Sequence, residues 1–302
     1  VTAGLRRRLP SALLALFLAT LTAPAVHAEA VGHRLRVTWQ PARPRTGDVV
    51  LMRVRGAPAG VSLEAIVDGR PVGLFRTRDG HAALIGIDMD APAGPRRWQV
   101  TARGAGAVAA AEGELAVRSR AYTVQHLTVA PGMVDLDPAT ERRAVDETER
   151  LRLTYRRISG ERLWRGRWLR PVSGDEPGSG FGSRRVINGQ PRAPHSGTDF
   201  AAPLGATVLA ANGGRVALVA EFFFPGRLVI LDHGLGLHTA YFHLDTIAVT
   251  EGQVVARGEP LGTVGMTGRV TGPHLHFGAQ LGPARIDPAV LLGLAPGDDG
   301  RD

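Results

Sequence analysis

The sequence predicts an all-β protein: an N-terminal β-sandwich-like domain, a short helical linker and a C-terminal β-rich domain. Three observations lead there. Apolar residues alternate with polar ones at period two from about residue 33 to 129. A single stretch after Asp137 switches to helical spacing. Beyond Pro171 the chain returns to short apolar runs separated by glycines. A chain of 302 residues is long enough for two domains, each burying its own core.

Residues 1–28 read as a secretory signal. Arg6, Arg7 and Arg8 make a positive start, and the apolar run Ala12 to Thr22 is short for a membrane span. Val26 and Ala28 then offer a cleavage site, with a retained anchor as the alternative. Residues 29–130 form the expected β-sandwich-like domain. Leu35, Val37 and Trp39 alternate, as do Val50, Met52 and Val54. Ile85 with Ile87, then Trp98, Val100 and Ala102, then Tyr122 and Val124, continue the pattern. Asp68-Gly69 and Asp79-Gly80 are turn pairs between them. This region carries no clustered chemistry and reads as a binding or spacer module.

Residues 131–170 are the linker. Asp137 is the expected N-cap and Pro138 the first helical residue, with Ala144, Thr148, Leu151 and Tyr155 on one face. The second β-rich domain spans 171–292, and a disordered tail is expected over 293–302. Its expected strands are "ATVLAA", "GRVALVAEFFF", "RLVILDHG", "LHTAYFHL", "QVVARG", "PLGTVG" and "HLHFGAQL".

All 36 basic residues are arginine, and the formal net charge is +8. That excess suits an anionic environment. Export excludes nucleic acid as a partner and leaves cell wall or lipid. With no cysteine, disulfides, thiolate metal sites and cysteine nucleophiles are excluded, so any metal must be held by His, Asp or Glu.

Six of the ten histidines lie between residues 195 and 276. "HSGTD" supplies His195 and Asp199, and "HLH" supplies His274 and His276. On a strand, positions i and i+2 share a face, so both imidazoles of "HLH" address one site while Leu275 points into the core. Two histidines on one face beside a His-x-x-x-Asp indicate a metal site. His233 and His238 read as structural, and Asp232 as a strand-end or turn residue.

The stretches "FGSRRVINGQPRAPHSGTDFAAPLGATVLAANGGRV", "LDHGLGLHTAYFHL" and "GRVTGPHLHFG" resemble the M23 family of zinc metallopeptidases, the LytM/lysostaphin-like murein endopeptidases. The resemblance covers roughly residues 180 to 290. It implies one zinc ion per catalytic domain, with His195, Asp199 and His276 as ligands. It also implies His243 and His274 as the catalytic histidines. His274 is the expected base and His243 the expected oxyanion stabiliser, roles that the sequence leaves exchangeable. Phe242 and Arg227 stand where the family often has small residues. Two imidazoles and a carboxylate leave a fourth tetrahedral position for water, as a catalytic zinc requires.

The expected function is that of an exported zinc endopeptidase of the periplasm or cell envelope, cutting peptide cross-bridges of peptidoglycan. No membrane span is expected after signal cleavage, and an envelope regulator is a further candidate partner. The alternative class is a non-catalytic LytM-type regulator that activates a cell-wall amidase. A third is a wall-binding module with an incidental metal.

Overall fold

The stretch VVLMRV shows no polar alternation until Arg53, and the strand it forms is covered on both faces. A computed structural model describes Val1 and residues 34–104, 107–174, 178 and 180–295. The predicted signal beyond Val1, and residues 296–302 of the predicted tail, lie outside the described residues. The first strands are β1 (Arg36–Gln40), β2 (Val49–Arg55), β3 (Ser62–Val67), β4 (Arg70–Pro71), β5 (Leu74–Thr77), β6 (Gly80–Gly86), β7 (Gly94–Gly104) and β8 (Ala107–Val117). They form two four-stranded sheets, ordered β1-β2-β6-β5 and β4-β3-β7-β8. Val50, Met52 and Val54 join a core contributed by both sheets, with Val67, Val100 and Leu115. Val49 and Leu51, on the other face of β2, join a second core with Phe75, Trp164 and Phe277. A strand buried on both faces reads as a continuous apolar run. Asp68 and Gly69 close the β3–β4 hairpin at φ 48° and 73°, the left-handed backbone that a two-residue turn of this kind requires.

Val124 does not continue the sandwich. It opens β9 (Val124–Leu127), which pairs in parallel with β10 (Arg184–Ile187). The other neighbour of β10 is β11 (Gln190–Arg192). The segment expected to end the first domain therefore braces the hairpin that precedes His195.

The linker helix α1 spans Pro138–Tyr155 and is capped by Asp137, whose carboxylate accepts from the amides of Ala139 and Thr140. Leu151 and Tyr155 pack against Leu218, Phe222, Leu228 and Ile230. After the helix the chain crosses the C-terminal sheet as an extended strap. The Leu163 amide bonds to the His233 carbonyl at 2.9 Å, and the Leu169 amide to the Ala211 carbonyl at 2.8 Å. Trp164 and Trp168 are buried in the core that Val49 and Leu51 share.

The remaining strands are β12 (Gly197–Ala201), β13 (Thr207–Leu209), β14 (Gly214–Phe222), β15 (Gly226–Gly234), β16 (Leu237–Ile247), β17 (Val254–Val255), β18 (Pro260–Val264), β19 (His274–Leu281) and β20 (Ala284–Ile286), before the short helix α2 (Pro288–Leu292). They build one sheet along β12-β19-β16-β15-β14-β17, to which β13, β18 and β20 attach. Among the described residues α1 and α2 are the only α-helices, in line with the all-β expectation. None is long and apolar enough to cross a membrane. Ion pairs tie the last segment to the first sheets: Arg120 bridges Asp48 and Asp287, and the Arg285 guanidinium grips Asp88 at 2.7 and 3.0 Å.

His233 belongs to this architecture. It is fully buried, with Nδ1 2.7 Å from the Gly213 carbonyl and Nε2 2.7 Å from the Thr239 hydroxyl. Burial pushes its pKa down to about 4. The unfolded chain therefore binds the extra proton first, at about pH 6.5. The stabilisation from neutral His233 is complete above that pH and drains away as pH falls toward 4. The expected loss is about 1.4 kcal/mol per pH unit within this window. Thermal melts of the wild type should show a steeper fall of Tm below pH 6.5 than melts of His233→Gln; parallel curves would contradict this.

Candidate metal centre

Pairing of β12 with β19 sets Asp199 directly opposite His276 and Ala201 opposite His274. The alternation of the strand then gathers Asp199, His274 and His276 on one face. Leu275, between the two histidines, is fully buried in the core behind them. His195 precedes β12. Its amide bonds to the Ser183 carbonyl at 2.9 Å, and its own carbonyl accepts from the Gly182 amide at 2.8 Å.

Two glycines let the imidazoles approach. A Cβ on Gly197 would lie 2.5 Å from His276 Nε2, and one on Gly180 would lie 2.5 Å from His195 Nδ1. Any side chain at either position would collide with a ring.

The donor atoms converge. His195 Nε2 lies 2.9 Å from Asp199 Oδ1 and 2.8 Å from His276 Nδ1, and the latter lies 2.8 Å from the same Oδ1. Among the described residues these three form the one group of metal-ligating side chains that could hold an ion. Two ring nitrogens face one another and a single oxygen. If both carried protons, the N–H groups would clash; if one did, a nitrogen lone pair would still face the carboxylate oxygen; if neither did, three lone pairs would oppose one another. A cation at the centre satisfies all three, so the residues fit a metal. Burial alone would raise Asp199, but hydrogen bonds from His195 and His276 hold its carboxyl well below the usual carboxylate range. Burial pushes His276 down to about 4. At neutral pH the carboxylate is ionised and the His276 ring is neutral, the forms that bind metal.

His243 and His274 stand beside this cluster. His274 Nε2 is 3.7 Å from Asp199 Oδ1, and the His243 ring centroid is 4.9 Å from that of His274. Each donates Nδ1–H to a backbone carbonyl at 2.9 Å, His243 to Thr267 and His274 to Gly272. A carbonyl only accepts, so in its neutral form each ring carries the proton on Nδ1 and presents Nε2 as an acceptor. His243 occupies a bulge in β16, where the strand leaves β19 and begins to pair with β18. Its φ of 65° is unusual for a non-glycine residue.

The family model for peptidase family M23 matches residues 193–288. A crystal structure of a candidate M23 peptidase from Pseudomonas aeruginosa is 30% identical, with a TM-score of 0.58. The likeness covers 83% of this chain and 96% of that one. The chain belongs to peptidase family M23. Two M23-like matches from Vibrio cholerae carry the names peptidoglycan DD-endopeptidase ShyB and ShyA, at 44% identity over 101 residues and 45% over 100. Each match covers 33% of this chain, and 24% and 23% of the relative's length, so the chain spans about a quarter of the curated relatives it matches.

Two further residues border the cluster. Arg185, on β10, holds Nη2 3.7 Å from the second oxygen of Asp199. In the sequence Arg185 is one arginine among many. The signal was the alternation in "SRRVI": Arg184 turns to Asp90, and Arg185, on the opposite face, turns to the cluster. Phe242, noted as a departure, stacks on the His276 ring at 5.2 Å and 11°. Arg227, the other departure, bonds to the Asp245 carbonyl and pairs with Glu221. His233 and His238 take no part in the cluster. His238 is fully buried and meets Tyr155 edge-on, and Asp232 caps a turn by accepting from the Gly234 amide.

Proposed function

We propose that this M23 chain is an exported zinc endopeptidase that hydrolyses peptide cross-links of bacterial peptidoglycan. The observation that carries the reading is the convergence of His195, Asp199 and His276, with two base-ready imidazoles alongside. The names of the Vibrio relatives support the substrate class and an envelope location.

His195, Asp199 and His276 would hold the zinc. Bound there, it would supply Lewis acidity that polarises the scissile carbonyl and lowers the pKa of water toward ~7. The remaining steps belong to the protein. His274 Nε2 accepts the proton from the attacking water and returns it to the departing amine. Its side chain is 20% exposed, so solvent helps carry the transient charge. His243 is more deeply buried, and burial, with the neighbouring His276 and His274, pushes its pKa down to about 3. It stays neutral with Nε2 as acceptor. We therefore revise its expected role from oxyanion donor to a residue that orients the attacking water.

The test is digestion of purified cross-linked muropeptides by the full chain, with products weighed by mass spectrometry. Peptide-linked dimers should become monomers, chelation should stop the reaction, and zinc should restore it. Intact dimers after incubation with the zinc-loaded chain would favour the non-catalytic regulator instead.

A further inference from the structure

We propose that Arg185, Arg192 and Arg269 form a carboxylate-binding subsite beside the metal cluster, which takes a free carboxylate of the substrate peptide. The proposal rests on the peptidase reading for the identity of the ligand, and on charge and geometry for the site itself.

Arg185 and Arg192 are direct cross-strand partners on β10 and β11. Like charges placed opposite each other destabilise a hairpin. Arg269, in the loop before β19, adds a third guanidinium. Its pKa is lowered first by burial and then by the charges of Arg185 and Arg192. Among the described residues one carboxylate, Asp199, lies within ion-pair reach of this group. Arg185 reaches only the outer oxygen of Asp199, at 3.7 Å, and that carboxylate already serves His195 and His276. Among the described residues neither Arg192 nor Arg269 has a carboxylate within ion-pair reach. Their donors meet only neutral acceptors: Arg192 Nη2 donates to the Val134 carbonyl at 3.1 Å and to Gln190 Oε1, and Arg269 donates Nη1 to the Met133 carbonyl at 3.4 Å while stacking on the Phe224 ring at 4.1 Å. The Nε atoms of Arg185 and Arg192 are buried with no hydrogen-bond partner among the described residues.

Elsewhere this chain treats half-buried guanidiniums differently. Arg120 sits between Asp48 and Asp287, and Arg285 between Asp88 and Asp90. Three guanidiniums that share one carboxylate at 3.7 Å are a structural liability that an arriving anion would relieve.

Of the three, Arg192 opens onto a groove. Arg192 and Phe224 line a groove of about 420 Å³ whose far wall is α1, through Ala144 and Thr148. Glu141 and Glu149 line the α1 side of the same groove and repel an anion there, which leaves Arg192 as its one cationic lining residue. Because Arg185 reaches Asp199, the subsite adjoins the metal cluster. Partly desolvated guanidiniums grip a planar carboxylate through paired N–H donors. A peptide lying across the cluster would thus be held by its carboxylate in one direction, which sets the amide presented to His274.

The experiment is calorimetric titration of the full chain, freed of metal by chelation so that nothing turns over. The probes are a cross-linked tetrapeptide dimer with free carboxylates and the same dimer with its carboxylates amidated. Amidation should weaken binding to the wild type about tenfold or more, as loss of a charge-assisted hydrogen bond does. Arg192→Gln and Arg269→Gln should weaken the free-carboxylate probe similarly and leave the amidated probe unchanged. Arg192→Lys should recover part of the loss. Equal wild-type affinity for both probes would overturn the proposal, even if a variant fails to fold. So would Gln variants that weaken both probes equally. The zinc-loaded wild type separates this from the peptidase reading. A charge-dependent difference in binding without hydrolysis defeats the reading and keeps the subsite. Hydrolysis of both probes with equal kcat/KM and equal affinity defeats the subsite and keeps the reading.

Discussion

His276→Ala should leave the β-fold standing while removing both the bound zinc and the turnover. His276 supplies one of three donor atoms packed within 2.9 Å of one another. With one gone, His195 and Asp199 remain, short of the three protein ligands of a catalytic site. Activity should drop by several orders of magnitude, because water loses the activation that brings its pKa from about 15.7 toward 7. The fold should lose far less. The substitution removes the stacking of Phe242 and one hydrogen bond to Asp199, together about 1–3 kcal/mol. Metal analysis, a thermal melt and a muropeptide digest read the three quantities. A variant with full zinc occupancy would remove His276 from the ligand set.

Replacement of His274 by alanine should keep the zinc and lower turnover by about 10²–10⁴-fold, the range for a lost general base. The acidic limb of kcat/KM should vanish with it, provided the zinc-bound water does not itself produce that limb. For His243 the informative substitution is asparagine, because φ is 65° there and asparagine tolerates that backbone better than alanine. His243→Asn should retain zinc and lose about 10²-fold, the scale of a misplaced nucleophile. Its acidic limb should survive, since His274 still takes the proton. Near-normal turnover in zinc-loaded His274→Ala would strip that residue of its role. If the acidic limb disappears in His243→Asn and persists in His274→Ala, the two roles must be exchanged.

Much of the C-terminal sheet was legible in the sequence because its strands are apolar and glycine-bounded. "RLVILDHG" became β15, "LHTAYFHL" became part of β16 and "HLHFGAQL" became β19. Strand β12, which carries Asp199, escaped notice, since "GTDFA" has too few apolar residues to show a period. Within the sandwich, β8 reads AVAAAEGELAV, and alanine gives weak contrast in an alternation count. Val124 looked like one more sandwich strand because alternation reports a buried face and says nothing of its partner, which proved to be β10. The shared core was hidden for a related reason. Val49 and Leu51 lie on the face of β2 opposite to Val50, Met52 and Val54, and only contacts in space reveal what covers each face. At the site, the histidines declared themselves by spacing. Arg185 did not, because the meaning of an arginine depends on which carboxylate faces it. The tautomer of His243 was hidden for a similar reason: the Thr267 carbonyl that fixes it lies 24 residues away.

Anomalous diffraction at the zinc edge, from crystals of the zinc-loaded full chain, tests the central claim most directly. A single strong peak about 2.0–2.2 Å from His195 Nε2, Asp199 Oδ1 and His276 Nδ1 is the predicted result. A peak ligated by other residues, or none at this cluster in protein that still cleaves muropeptides, would contradict it.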